Sequence, residues 1–273
     1  MPLLPMLMLA AAAASVPDRA SSPEAFAPRG WTVLEKAMGD LNQDGVPDAA
    51  IIFKDPKEDK EGEFDVERVL VIALQQPGKG WARSAVSEEE VLCRSCGGVF
   101  GDPFAALKIE RGAVVVVHYG GSRDRWGYTH RYRLENGEWV RIGETEVSED
   151  ALEGNGHEVD RNLVTGRVVE KTTRNHKATS KTYREIRPMT ARPANAPVSA
   201  VLSGDTLTIY SPEKVQLRTD KGKVFSPSSE SAGEARFSVK ALGWTDRQQQ
   251  MRLWITPELS LLFSPEGERP KLK

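Results

Sequence analysis

The sequence is poor in the residues that most often carry chemistry, with two cysteines and four histidines in 273 residues. Cys93-Arg94-Ser95-Cys96 is the single C-x-x-C pair, so a zinc centre built from two such pairs is excluded. Charge of one sign is also scarce: 37 Lys and Arg against 39 Asp and Glu leave a formal net charge of -2. Such a balance provides no global pull toward nucleic acid or an anionic membrane. No apolar run reaches the roughly 20 residues that span a bilayer. The G-x-S-x-G, H-E-x-x-H and glycine-rich phosphate-loop signatures are missing, which removes the commonest motif-borne enzyme classes.

What is present centres on one acidic loop, Gly39-Asp40-Leu41-Asn42-Gln43-Asp44-Gly45-Val46-Pro47-Asp48. Hard cations such as Ca²⁺ take about six to eight oxygen ligands from a chain that curls around them. Asp40, Asn42 and Asp44 alternate as oxygen donors, Gly45 permits a sharp turn, Val46 offers its carbonyl and Asp48 a last carboxylate. An EF-hand would place a bidentate Glu at its twelfth position, which here is Ile51. The apolar Ala49–Phe53 run predicts a strand leaving the loop rather than a helix. The loop, read with its flanking strands, resembles the short calcium loops of FG-GAP and VCBS-type repeats. That resemblance implies a Ca²⁺ site, weak at about 10⁻⁴–10⁻³ M as in extracellular modules. A metal-free hairpin turn uses the same residue types and is the alternative. The pattern occurs once, whereas a propeller would repeat it blade after blade.

The N-terminus reads as a secretion signal at 1–14: an apolar stretch from Leu3 runs into Ala10–Ala14, suited to cleavage after Ala13 or Ala14. It lacks a preceding Lys or Arg. Residues 15–29 are rich in Ser, Pro and Ala and read as a flexible lead-in. From residue 30 the pattern is mainly β. Val69–Leu74 is apolar on both faces, as in a central strand. Ser87-Glu88-Glu89-Glu90 offers a cap and an acidic first turn for one short helix. Asn136-Gly137 marks a hairpin. Three prolines within 188–197 mark a linker. The expected organisation is an antiparallel, meander- or sandwich-like β domain over 30–187 with few short helices. A small β-sandwich or barrel is expected over 198–273.

In an exported chain Cys93 and Cys96 most simply form a disulfide, with thiol–disulfide chemistry as the alternative. Period-two alternation puts Trp126, Tyr128, His130 and Tyr132 on one strand face and Arg125, Arg131 and Arg133 on the other. The plain expectation is aromatics to the core and arginines to water. The sharper one is a ligand rim of His118, Arg123, Arg125, Trp126, Tyr128 and His130, with Asp124 beside it, fit for a glycan or an anion.

The blocks GDLNQDGVPD, CRSCGGVFGDPF and HYGGSRDRWGYTHRYR, with NLVTGRVVEK after them, resemble a family of uncharacterised exported bacterial proteins carrying the same blocks in the same order. The resemblance spans roughly the first domain. It implies bacterial export to the periplasm or medium and brings no activity with it. The resulting expectation is a calcium-binding β-protein with a structural or partner-binding role at the cell envelope. Its partner would be an envelope glycan or protein rather than nucleic acid, and the mature chain would have no transmembrane anchor. The alternative is an envelope-acting enzyme, either a hydrolase of envelope polymers or a thiol–disulfide oxidoreductase using Cys93 and Cys96.

Overall fold

A computed structural model describes residues 15–60, 65–189, 196–231, 233–244, 249–264 and 270–272. The expected signal segment at 1–14 and residues 190–195 of the expected linker lie outside the described residues. The chain is mainly β and divides into two compact units. The first runs to Glu158 and takes in Thr173–Lys177 and the residues from Lys271. The second comprises Val159–Thr172 and Ala178–Pro270.

The first unit holds β1 (Arg19–Ala20), β2 (Thr32–Gly39), β3 (Asp48–Lys54), β4 (Arg68–Gln76) and β5 (Gly80–Ser87), in the sheet order β1-β5-β4-β3-β2. It continues with β6 (Phe104–Glu110), β7 (Ala113–Gly121), β8 (Asp124–Glu135) and β9 (Glu138–Asp150), successive antiparallel neighbours. The two sheets share one core. Ala50, Ile52, Leu70 and Ile72 from the first meet Leu107, Val114, Val116, Tyr132 and Trp139 from the second.

Because Ala49–Phe53 of β3 and Val69–Leu74 of β4 are apolar at every consecutive position, their other face needs a cover as well. The lead-in expected to be flexible supplies it. Val16 and the fully buried Phe26 pack on Ile51, Phe53, Val69 and Val71, and β1 pairs with β5. Pro23–Phe26 forms a 3₁₀ turn that delivers the phenylalanine.

The second unit includes the inner parts of β10 (Asn155–Asn162), β11 (Arg167–Arg174) and β12 (Lys177–Ile186). A four-stranded sheet follows from β13 (Ser199–Ser203), β14 (Thr206–Tyr210), β17 (Ser229–Ser231) and β18 (Glu234–Ser238), in the order β13-β14-β18-β17. It faces β15 (Leu217–Arg218), β16 (Val224–Phe225), β19 (Met251–Thr256) and β20 (Leu259–Phe263) across a core of Leu207, Ile209, Leu217, Phe237, Leu253 and Phe263. The units part at 158/159, upstream of the stretch expected to separate the domains. The reason is long-range pairing: β12 runs parallel to β20, with Arg184 opposite Leu259 and Ile186 opposite Leu261.

One local expectation is corrected. Ser87–Leu92 bends instead of forming a helix, because Glu90 turns inward to polar partners on β8. Pro56–Asp59 makes a 3₁₀ turn capped by Asp55, and Glu58 is buried.

Candidate functional site

The acidic loop is the tip of the β2–β3 hairpin. Gln43 and Gly45 take positive φ of 64° and 81°, so the chain reverses sharply between Asp40 and Asp48. Asp40 accepts from the backbone N–H groups of Gln43 (2.7 Å) and Gly45 (2.9 Å). Asn42 accepts from Asp44 N–H (3.0 Å), and Asp44 from Val46 N–H (2.8 Å) and the Asn42 amide (2.9 Å). Asp48 is 0% exposed and accepts from Leu41 N–H and Gln75 N–H, both at 2.9 Å. Burial raises its pKa, the two N–H donors oppose the rise, and the charge of Asp44 adds to it. No Lys or Arg nitrogen lies within 4.0 Å of Asp48 among the described residues. The donors therefore suit a hard cation in kind, while each carboxylate oxygen already accepts one hydrogen bond.

Arg68, also 0% exposed, opens β4. Its guanidinium donates to both oxygens of Glu58 (2.8 and 2.7 Å) and both of Asp102 (2.8 and 2.6 Å). Burial alone would depress its pKa, but the two carboxylates outweigh that and hold it raised, while Arg68 holds Asp102 lowered. This clamp ties the 3₁₀ turn at Pro56 to the loop that carries the cysteines.

Cys93 and Cys96 form the expected disulfide across a 3₁₀ turn, Arg94–Gly97. Cys93 is buried (8% exposed) and Cys96 is exposed. Asp65 Oδ1 lies 3.5 Å and Ser95 Oγ 3.3 Å from Cys93 Sγ, and Ser95 Oγ accepts from Asp65 N–H. Asp65, Cys93 and Cys96 form the one group of three His, Cys, Asp or Glu donors drawn within 4.8 Å among the described residues. With the sulfurs bonded to each other, neither is a thiolate ligand.

The cysteine block and the aromatic block come together. Gly98 bridges to Gly121, Val99 N–H donates to Gly121 O, and Tyr119 N–H donates to Pro103 O. A Cβ on Gly120 would meet the Trp126 ring at 2.7 Å and the Gly97 backbone at 3.0 Å, which accounts for glycine at this crossing. Beneath the crossing, Trp126, Tyr128 and His130 stack along β8 at 6.0 and 4.7 Å between ring centroids, and His118 of β7 lies 4.7 Å from Tyr128. His118 Nε2 accepts from Leu92 N–H, so its proton sits on Nδ1, where it finds no partner. Burial pushes its pKa down to about 4.

Glu90 closes this row. Its Oε1 lies 2.9 Å from His130 Nδ1, and its Oε2 accepts from the Tyr132 hydroxyl at 2.6 Å. Arg141 donates to that hydroxyl (3.1 and 2.9 Å) and to Glu144 (3.3 Å). Burial raises the pKa of both Tyr128 and Tyr132.

Of the expected rim, His118, Trp126, Tyr128 and His130 are together, half-buried to buried, under the 88–104 segment. Arg125 lies over the Phe100 ring, 5.5 Å from its centroid. Arg123 pairs with Asp150 at 2.8 Å, which lowers the aspartate to about 2. Glu90, Tyr132, Arg141 and the Arg68 clamp were missed as site residues. For Arg68 a signal existed, an arginine leading directly into a strand apolar on both faces. No family model, curated protein or solved structure matches the chain.

Proposed function

We propose that this is an exported bacterial β-protein of the family its sequence blocks resemble, in which the Asp40–Asp48 loop takes a Ca²⁺ ion weakly. Its role is structural or partner-binding at the cell envelope, with a glycan or protein as the partner. The observation that carries the reading is Asp48: a fully buried carboxylate beside Asp44, with two backbone N–H donors and, among the described residues, no cationic side chain within 4.0 Å. A divalent cation at the loop would supply the missing charge, with Asp40, Asn42, Asp44, Asp48 and the Val46 carbonyl as its holders. Calcium here stiffens a hairpin and takes part in no reaction. Export is supported by the disulfide, which persists in oxidising compartments. Cleavage after Ala13 or Ala14 would leave Val16 in place to pack.

The test is a melting curve of the mature chain in EDTA and in millimolar Ca²⁺, with Asp44→Ala alongside. The expected result is a calcium-dependent rise that the variant loses. Superimposable wild-type curves would reduce the loop to a plain turn.

A further inference from the structure

The disulfide is asymmetric in a way that bears on chemistry. Of its two sulfurs, that of Cys93 belongs to a buried residue and that of Cys96 to an exposed one. Around Cys93 Sγ stand a carboxylate, Asp65 at 3.5 Å, and a hydroxyl, Ser95 at 3.3 Å. Ser95 Oγ already accepts from Asp65 N–H, which leaves its own proton free for the sulfur. Asp65 and Ser95 both line an open cleft of about 650 Å³ with Arg94, Phe100 and Asp102, so the carboxylate is in reach of water.

The disulfide is also not what holds its loop. Gly97 N–H donates to Gly101 O, Val99 N–H to Gly121 O, and Asp102 is gripped by Arg68. None of these bonds involves a sulfur atom. A four-residue ring gains little from loop closure in any case.

We infer that Cys93–Cys96 is an exchangeable disulfide in which Cys96 is the sulfur attacked by an external thiol, Cys93 is the leaving and resolving sulfur, and Asp65 relays its proton. The reductant is a dithiol, either a small molecule or one carried by an exported protein. In the first step its thiolate attacks Cys96 Sγ. The Cys93–Cys96 bond breaks, and its electron pair goes to Cys93 Sγ, where the Ser95 hydroxyl donates to the new thiolate. A proton reaches Cys93 from the cleft through Asp65, whose negative charge disfavours a lasting thiolate beside it. In the second step the reductant's other thiolate attacks its own sulfur in the mixed disulfide and releases Cys96 as a thiolate. The exposed Cys96 thiolate takes a proton from water. The dithiol, its own two protons lost to water as its thiolates formed, is oxidised to a disulfide, and two electrons and two protons reside on Cys93 and Cys96. Run backwards, Asp65 takes the Cys93 proton and the resulting thiolate expels the thiol bound at Cys96. The proposal does not depend on calcium, and all assays are run in chelator.

The experiment uses the full mature chain. Reduced wild type is treated with oxidised glutathione, quenched early and mapped by mass spectrometry, which requires no variant. Glutathione is expected on Cys96. Glutathione on Cys93, or equally on both, overturns the assignment. Cys93→Ser, which leaves Cys96, should form its glutathione adduct at least about tenfold faster than Cys96→Ser, as accessibility requires. Equal rates overturn it again. For the relay, the glutathione adduct at Cys96 with Cys93 reduced is allowed to close, and release of glutathione is followed against pH. Asp65→Asn should slow closure severalfold near neutrality and lose that deficit above about pH 8.5, where an ordinary thiol ionises unaided. An unchanged pH profile removes Asp65 from the mechanism, and faster closure near neutrality, which loss of its charge alone would give, overturns the relay.

Discussion

β3 and β4 each begin with a charged side chain that no solvent reaches, and the two are treated in opposite ways. Arg68 is met by two carboxylates and four hydrogen bonds of 2.6–2.8 Å drawn from two separate loops. Asp48 is met by two peptide N–H groups and, beyond them, by the like charge of Asp44. The difference shows what a buried charge does to a fold. A guanidinium answered from within ties three segments together. A carboxylate with no cationic side chain beside it is the feature on which the proposed Ca²⁺ site rests.

Removing Arg68 breaks the comparison most severely. Arg68→Met strands the Glu58 carboxylate in the interior and should cost about 3–5 kcal/mol, the usual penalty for breaking one partner of a buried pair. Urea unfolding reads this directly. A variant that also neutralises Glu58 should recover part of the loss. His118 adds a third buried ionisable group, one that stays neutral. An unfolded imidazole takes up its proton near pH 6.5, whereas the folded one waits until about 4. Between those values the unfolded chain binds more protons, so stability falls as pH falls through the window. The total is about 3 kcal/mol, and nothing is lost above it. In His118→Gln, which keeps an acceptor for Leu92, the drop in urea midpoint between about pH 7 and about pH 4.5 should be correspondingly shallower.

Under the proposed function, calcium acts on the other side of the comparison. At ten to a hundred times its dissociation constant it should add about 1.4–2.7 kcal/mol, a rise in Tm of roughly 3–10 °C. Asp44→Asn gives the smallest and most diagnostic change. In EDTA it should match wild type or exceed it by a few tenths of a kcal/mol, because the like charge near Asp48 is gone. In calcium it should show no rise. A loss of stability in EDTA would mean that Asp44 serves the turn and not a cation.

Where the determinants are local, the structure was legible in the sequence. The β2–β3 and β8–β9 hairpins follow from glycine beside Asn or Asp between apolar runs. Mainly antiparallel sheets follow from period-two alternation, and the sandwich in each unit from the number of short strands. What escaped depends on partners far along the chain. Ser87-Glu88-Glu89-Glu90 has every local mark of a helix start. Yet His130 and Tyr132, some forty residues on, draw Glu90 inward, and the turn is lost. The pairing of β12 with β20 spans more than seventy residues and moves the division between units upstream of its proline marker. The packed lead-in was concealed differently. Val16 and Phe26 are isolated among Ser, Pro and Ala, and only the need to cover Ile51 and Val69 gives them a purpose. The cysteine pair was legible as a disulfide, but which sulfur faces outward was not.

That lead-in has a consequence for the order of assembly. Residues 16–26 are made before the strands they cover: their seat is built from β3 and β4 and its edge from β5, which ends at Ser87. A segment that leaves the ribosome ahead of its partners is thus the last of its layer with somewhere to dock. Until more than sixty further residues are in place, Ile51, Phe53, Val69 and Val71 present an uncovered face, the kind of surface that draws unfinished chains together. Chaperones and nascent neighbours would meet that face before its own lid does. A chain begun at Gly30 would keep it bare after folding.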